Sequence, residues 1–477
     1  MTKNIDQEEK VFSRLSLIAK RVAWLFLGLS LLLLFYVFWR SEIFYSGNLR
    51  EGYKYSYLIA FSGVLFWGVV LRLKDEIQQK LIIASISALI GLYSVEIYLS
   101  IMEPHSSLET AAKKSGVFFD PRARLEVVRD LRKEGVDVAP LSCGDILRGY
   151  IFQRKEDGDF FIWFTPGGLS KKTTVSSNET GKYQIIFTDR FGFNNPDSVW
   201  NAEVADWALL GDSFTFGQSV QPGEEISSQI QSQTNSIVLN LGCPGNGPLE
   251  QLAGLKEYAE AKMPKRVLWM YYEGNDLWEL KISSQDSIKD NYLDTGFSKN
   301  LMHRQEEIDA HLTEMIKRAE IDMDKKLESD FQKAKDVDRL VVFKLFHLRN
   351  AIGLNTSNFE ERTRHLDVDP LFADVLKIAK DSIAGWGGEL YFVYLPEFPR
   401  YKKYFVNHDA HRKRSEMLRL VESLQIPVID IHHEVFEKHP EPLALFPFKR
   451  GGHYNAEGYK LVADTIVKEV EKMFSAK

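Results

Sequence analysis

Between Arg21 and Arg40 the chain runs from Val22 to Trp39 (VAWLFLGLSLLLLFYVFW) without a charged residue, and no other feature limits the fold as strongly. A helix rises about 1.5 Å per residue, so roughly 20 apolar residues match the hydrocarbon thickness of a bilayer. Tyr55 to Leu71 is likewise uncharged, and Leu81 to Met102 is interrupted only by Glu96. A backbone in lipid has to satisfy its own hydrogen bonds, which makes helix the form expected of all three runs. Trp24, Tyr36, Trp39, Tyr55 and Tyr57 stand near the run ends, where amphipathic rings favour the interface. Three successive runs without a small-residue cleavage site speak against a signal peptide. Residues 1–102 are expected to form a three-helix transmembrane anchor.

The basic residues set its orientation. Lys3, Lys10, Arg14, Lys20 and Arg21 precede the first run, and Arg72, Lys74 and Lys80 fill the loop before the third. Arg40, Arg50 and Lys54 lie in the first loop, and none follows between Glu103 and Ala112. Positive charge stays in the cytoplasm, so three crossings place the N-terminus inside and everything after about residue 103 on the periplasmic side of the cell membrane. Glu96 is expected near the outer interface, where water reaches it; the alternative is a buried functional carboxylate.

Beyond the anchor, residues 103–205 read as a linker or small mixed region, with a charged helix from Pro121 to Gly135 and turn signals at Gly167-Gly168 and Asn195-Pro196. From 206 to 477 short apolar runs alternate with amphipathic helices. Trp207–Leu210, Ile237–Leu241, Arg266–Tyr272, Leu390–Leu395 and Pro427–Ile431 are continuous apolar strands, which implies a parallel sheet covered on both faces and an α/β fold. The charged stretch at 281–384 has helical periodicity and reads as an insertion over one end of the sheet. With 60 Lys+Arg against 66 Asp+Glu and a net charge of −6, the chain does not suit nucleic acid, which needs a basic surface. Two cysteines exclude a disulfide scaffold or a cysteine-rich zinc module; Cys143 and Cys243 can pair in an oxidising compartment or remain thiols. No nucleotide loop or metal cluster is present in the sequence, so no cofactor is implied.

Candidate chemistry sits at strand ends. The first strand runs into Gly211-Asp212-Ser213-Phe214, placing a serine just past the carboxyl end of a parallel strand, where open α/β sheets bind ligands. The second ends in Asn240-Leu241-Gly242-Cys243-Pro244-Gly245, the third in Glu273-Gly274-Asn275-Asp276, and Gly451-Gly452-His453-Tyr454-Asn455 leads into the last helix. A serine that attacks, a histidine that takes its proton, and a glycine N–H with an asparagine amide that hold an oxyanion form a coherent set. Asp212 and Asp276 read as caps of their turns, Asn455 and Glu457 as the cap region of the last helix, His432 and His433 as surface residues, and Tyr271 and Tyr272 as core rings that can also stack on sugars.

In this order and spacing the four segments resemble the blocks of the SGNH/GDSL hydrolase superfamily. The resemblance implies a three-layer α/β/α domain, with Ser213 as nucleophile, His453 as base, and Ser213, Gly245 and Asn275 as the oxyanion hole. Thr188-Asp189-Arg190-Phe191-Gly192-Phe193-Asn194-Asn195 also resembles the lead-in of membrane-tethered bacterial members linked to envelope polysaccharides. One position departs: where the family has Asp three residues before its histidine, this chain has Arg450. Asp430 at the end of the fifth strand is a candidate orienting carboxylate, or else a structural cap. The function implied is a membrane-anchored serine esterase or O-acyltransferase acting on acylated envelope glycans or lipid-linked sugars, a transferase needing a separate membrane acyl-donor protein. The alternative, favoured by Arg450, is a non-catalytic glycan-binding or polysaccharide-assembly factor that retains the fold.

Overall fold

The computed structural model describes residues 2–44, 50–102, 108–141, 165–284, 291–333, 342–351, 367–401 and 408–475. The chain divides into two compact units, residues 1–105 with 332–363 and residues 106–331 with 364–477.

The first unit contains α1 (Thr2–Phe38), α2 (Arg50–Val70) and α3 (Asp75–Met102). Among the described residues two helices are long and apolar enough to cross a membrane, Ser16–Phe44 and Asp75–Ser100, where the sequence suggested three. The middle helix falls short because it ends at Val70 and carries Lys54 among its tyrosines. It nevertheless shares the outward apolar character of its neighbours: Leu32 and Phe35 on α1, Leu58 and Leu65 on α2, and Ile83 and Ile90 on α3 are all exposed. A side chain at Gly63 would place its Cβ 2.8 Å from Ser30 Oγ, so small residues bring α1 and α2 together. Glu96 is fully buried, against the expectation that water reaches it. Its carboxylate accepts the backbone N–H groups of His347 (3.0 Å) and Leu348 (2.7 Å), at the start of the helix Phe346–Ala351.

The second unit is built on a five-stranded sheet of β4 (Trp207–Leu210), β5 (Val238–Asn240), β6 (Arg266–Tyr272), β7 (Glu389–Leu395) and β8 (Val428–Asp430). The order is β5-β4-β6-β7-β8 and every pairing is parallel. Each of the five apolar runs is a strand. Alternate residues serve opposite faces, as the pleat requires. Ala208, Leu210, Trp269 and Phe392 join one core with Leu252 of α8 (Pro248–Gly254) and Phe372 of α11 (Pro370–Gly385). Leu209, Leu268, Met270 and Val393 join the other with Ile230 of α7 (Ile226–Thr234) and Ile466 of α12 (Ala456–Ser475). The result is a three-layer α/β/α arrangement.

Residues 108–205 belong to this same unit and are more than a linker. After α4 (Leu108–Lys114) and α5 (Arg124–Lys133), β1 (Val138–Ala139), β2 (Thr173–Val175) and β3 (Ile185–Phe187) form a small sheet in which β2 and β3 are an antiparallel hairpin. The stretch at 281–384 is also not one body, since 332–363 joins the first unit. Its earlier part is sewn into the core of the second: Tyr292, Leu301 and Ile308 are buried, and Glu257 accepts both the Tyr292 hydroxyl (2.8 Å) and the Leu301 N–H (2.8 Å). The long α10 (Gln305–Lys333) follows, with Asp309 bonded to Ser170 N–H at 2.9 Å.

Candidate active site

The chain leaves β4 for β5 on one side and later enters β6 on the other, so the carboxyl end of β4 is a topological switch point, where such sheets open a crevice. Ser213 stands there, first residue of the one-turn α6 (Ser213–Phe216). The turn into it is tight. A Cβ at Gly211 would lie 2.0 Å from Thr215 Oγ1, and Asp212, buried, accepts the Phe214 N–H at 2.9 Å. Gly217 closes the turn in the left-handed region (φ 81°).

The neighbouring segments fix this turn from several sides. Asn240, at the end of β5, donates to Thr215 O (2.9 Å) and accepts from Gly242 N (2.9 Å). Gly242 presses so closely on α6 that a Cβ would be 2.4 Å from Phe216 N. Asn194 donates to Phe216 O (2.8 Å) and Gln184 to Gly217 O (2.7 Å). Asn194 belongs to the lead-in Thr188–Asn195, whose hub is the buried Asp189. One oxygen of Asp189 accepts Phe191 N (2.8 Å) and Phe193 N (3.0 Å), the other Asn195 Nδ2 (2.9 Å) and Trp200 Nε1 (2.7 Å). Burial pushes its carboxyl up to about 6 in spite of these four donors.

Across the crevice, His453 Nε2 lies 2.7 Å from Ser213 Oγ. The other ring nitrogen, Nδ1, is 3.1 Å from each carboxylate oxygen of Glu179, and the His453 backbone N–H donates to the same carboxylate at 2.8 Å. Glu179 stands in the turn of the β2–β3 hairpin. Partial burial acts to raise its pKa, but His453 and the hydrogen bonds outweigh it and hold the carboxyl at about 2. The pair of glycines before His453 makes this approach possible: Gly452 has φ 91°, and a Cβ on it would sit 2.3 Å from Glu179 Oε2. The Ser213, His453 and Glu179 side chains thus form a hydrogen-bonded line of hydroxyl, imidazole and carboxylate.

Glu179 is the residue that reading the sequence missed, and Asp430 is not the carboxylate at His453. Asp430 is ion-paired with Arg414 and accepts the His433 N–H at 3.3 Å, the capping use. Gly245 follows β5 and Asn275 follows β6, which puts both at the strand ends flanking Ser213. Gly245 takes φ 84°, a conformation that suits glycine. Asn275 opens α9 (Asp276–Ser283) without spending its side chain on a cap. Asp276 is buried and accepts Tyr272 N at 3.3 Å; burial, then the charge of Asp212, raises its carboxyl well above the usual range. Tyr271 is a core ring. Tyr272 is half-buried and stacks at 4.0 Å on Phe214, whose ring lies 4.7 Å from His453. Asn455 caps α12 by accepting Gly458 N at 3.0 Å. His432 and His433 face different partners, Tyr401 (2.8 Å) and Glu437 (2.8 Å). Cys243 is buried and not a free thiol; Cys143 lies outside the described residues.

No family model and no curated protein matches this chain. Solved structures similar to it include a lipolytic protein of the G-D-S-L family from Desulfitobacterium hafniense, at 16% identity and TM-score 0.27, covering 55% of this chain and 97% of that one. A lipase/acylhydrolase from Enterococcus faecalis is similar at 13% identity and TM-score 0.30, covering 56% of this chain and 95% of that one. A two-domain esterase active on acetylated mannans is similar at 12% identity and TM-score 0.29, covering 58% of this chain and 51% of that one.

Proposed function

We propose that this chain is a serine esterase or O-acyltransferase of the SGNH type, held at a membrane by its N-terminal helices. The observation that carries the reading is the 2.7 Å contact of His453 Nε2 with Ser213 Oγ while Glu179 occupies Nδ1. A carboxylate at Nδ1 keeps the proton there, leaves Nε2 as the base, and stabilises the imidazolium that forms. Ser213 Oγ attacks an ester carbonyl and passes its proton to His453 Nε2. The carbonyl oxygen becomes an oxyanion met by the Ser213 and Gly245 N–H groups and the Asn275 amide. Collapse expels the alcohol, which takes the proton back from His453, and leaves an acyl group on Ser213. Water, or a hydroxyl of an acceptor, then gives its proton to His453 and attacks the acyl carbon; collapse of this second intermediate frees Ser213 Oγ, which takes the proton back from His453. The glycan-binding alternative rested on Arg450 in place of an acid, and Glu179 at His453 removes that support.

The substrate class we propose is an acyl ester of an envelope glycan or lipid-linked sugar, a class that a site held beside the membrane is placed to meet. With α2 as a third crossing, to which its exposed apolar residues point, the site faces the periplasm. The test uses the full chain in detergent with p-nitrophenyl acetate. A burst of nitrophenol that Ser213→Ala abolishes supports the reading; equal rates from both proteins contradict it.

A further inference from the structure

Ser219 lies two residues past the turn that holds Ser213, is fully buried, and has φ 78°. A non-glycine residue in this region is strained by about 1 kcal/mol or more, and such strain persists where the surroundings over-determine it. Here they do. The Ser219 carbonyl accepts the Thr180 hydroxyl at 2.9 Å, and its Oγ is 2.7 Å from Ser177 Oγ. The same Oγ stands 3.4 Å from His453 Nδ1. Ser177, Glu179 and Thr180 all belong to the β2–β3 turn, so one residue grips the hairpin on both sides of its carboxylate.

We propose that Ser219 is a positioning residue that fastens the hairpin and so holds Glu179 against His453. It does not touch Ser213 Oγ or His453 Nε2; it acts through the carboxylate and through its own contact with Nδ1. This rests on the reading of Ser213, His453 and Glu179 as one catalytic unit, but the pair it positions can be titrated whether or not a substrate is known. Among the described residues, the charged and titratable groups around His453 include Glu179 at its Nδ1, the Tyr272 and Tyr454 phenols packed on Phe214 beside it, Asp212 next to Ser213, and the exposed Arg450 on its own loop. Of these, only Glu179 is held by Ser219. Loosening the grip weakens the stabilisation of imidazolium by Glu179, so the His453 pKa falls.

The experiment follows ¹³C-labelled histidine in the full chain in detergent micelles, with His453 assigned through His453→Gln, in wild type, Ser219→Gly and Glu179→Gln. Glycine relieves the strain while removing the hydroxyl, so the Tm of Ser219→Gly is expected within about 3 °C of wild type. Its His453 pKa is expected to move down, in the direction Glu179→Gln moves it and by less. With p-nitrophenyl acetate, kcat falls about tenfold with KM unchanged, as expected for one lost hydrogen bond to a charged group. A His453 titration equal to wild type overturns the proposal, whatever the Tm does. An upward shift overturns it too, because the hydroxyl would then act on the charge of the carboxylate and not on its place. Absence of turnover in wild type counts against the esterase reading alone.

Discussion

At the scale of single residues the account turns on two glycines and a glutamate. Gly451-Gly452 cannot supply the acid that the resembling family carries before its histidine, and read in sequence the place looks vacant. In space Gly452 is the gap through which Glu179 reaches the imidazole. Gly452→Ala puts a methyl group 2.3 Å from the carboxylate at a φ that alanine resists, so we expect kcat/KM for p-nitrophenyl acetate to drop at least about 100-fold. Glu179→Gln is expected to lose roughly 10³- to 10⁴-fold, the cost of an unoriented histidine. Asp430→Asn should leave turnover unchanged, because its partner is Arg414. The pH dependence of the pair has a definite sign. Glu179 is held at about 2 from an ordinary value of 4.5, so the pairing stabilises the fold fully above about pH 4.5 and loses that contribution as pH falls toward 2. Thermal melts between pH 5 and 3 should fall less steeply for Glu179→Gln than for wild type.

At the scale of elements, the five core strands were legible because a strand buried on both faces cannot avoid a continuous apolar run. Ser213 and His453 were legible because their turns demand recognisable glycines. The β2–β3 hairpin was not. Its strands are three residues each, Thr173–Val175 and Ile185–Phe187, too short for a periodicity, and its turn reads as ordinary polar loop. A carboxylate contributed from outside the sheet leaves no spacing rule to follow. The lead-in Thr188–Asn195 was marked in the sequence, and its physical content is the Asp189 hub. Asp189→Asn turns an acceptor into a donor facing donors already in place, and should destabilise the second unit by about 2–4 kcal/mol in urea unfolding. The expected companion effect is lost turnover, since Asn194 and Asn195 tie this segment to Phe216 and Asn240.

At the scale of the whole molecule, hydropathy announced an apolar N-terminal unit but not its count of crossings. Among the described residues two helices satisfy length and apolarity, and the third is diluted by Lys54 and its tyrosines. Parity matters: three crossings separate the N-terminus from residue 108 onward, and two keep them together. If α2 is a third crossing, a membrane-impermeant maleimide should label a cysteine placed at position 460 but not one placed at position 3 in cells whose outer membrane has been made permeable, with Cys143 and Cys243 replaced by serine in both. Nor could the sequence show that one charged stretch serves both units, because the burial of Glu96 against His347 and Leu348 is a tertiary fact. The central claim, that a hydroxyl, an imidazole and a carboxylate drawn from three distant segments work as one device, is met most directly by covalent labelling. The full chain is exposed to a fluorophosphonate and the modified residue read by mass spectrometry. The account predicts a single adduct on Ser213 in wild type, none in Ser213→Ala, and formation slowed at least about 100-fold in both His453→Gln and Glu179→Gln. Equal labelling of wild type and Glu179→Gln, or an adduct on any residue other than Ser213, would contradict it.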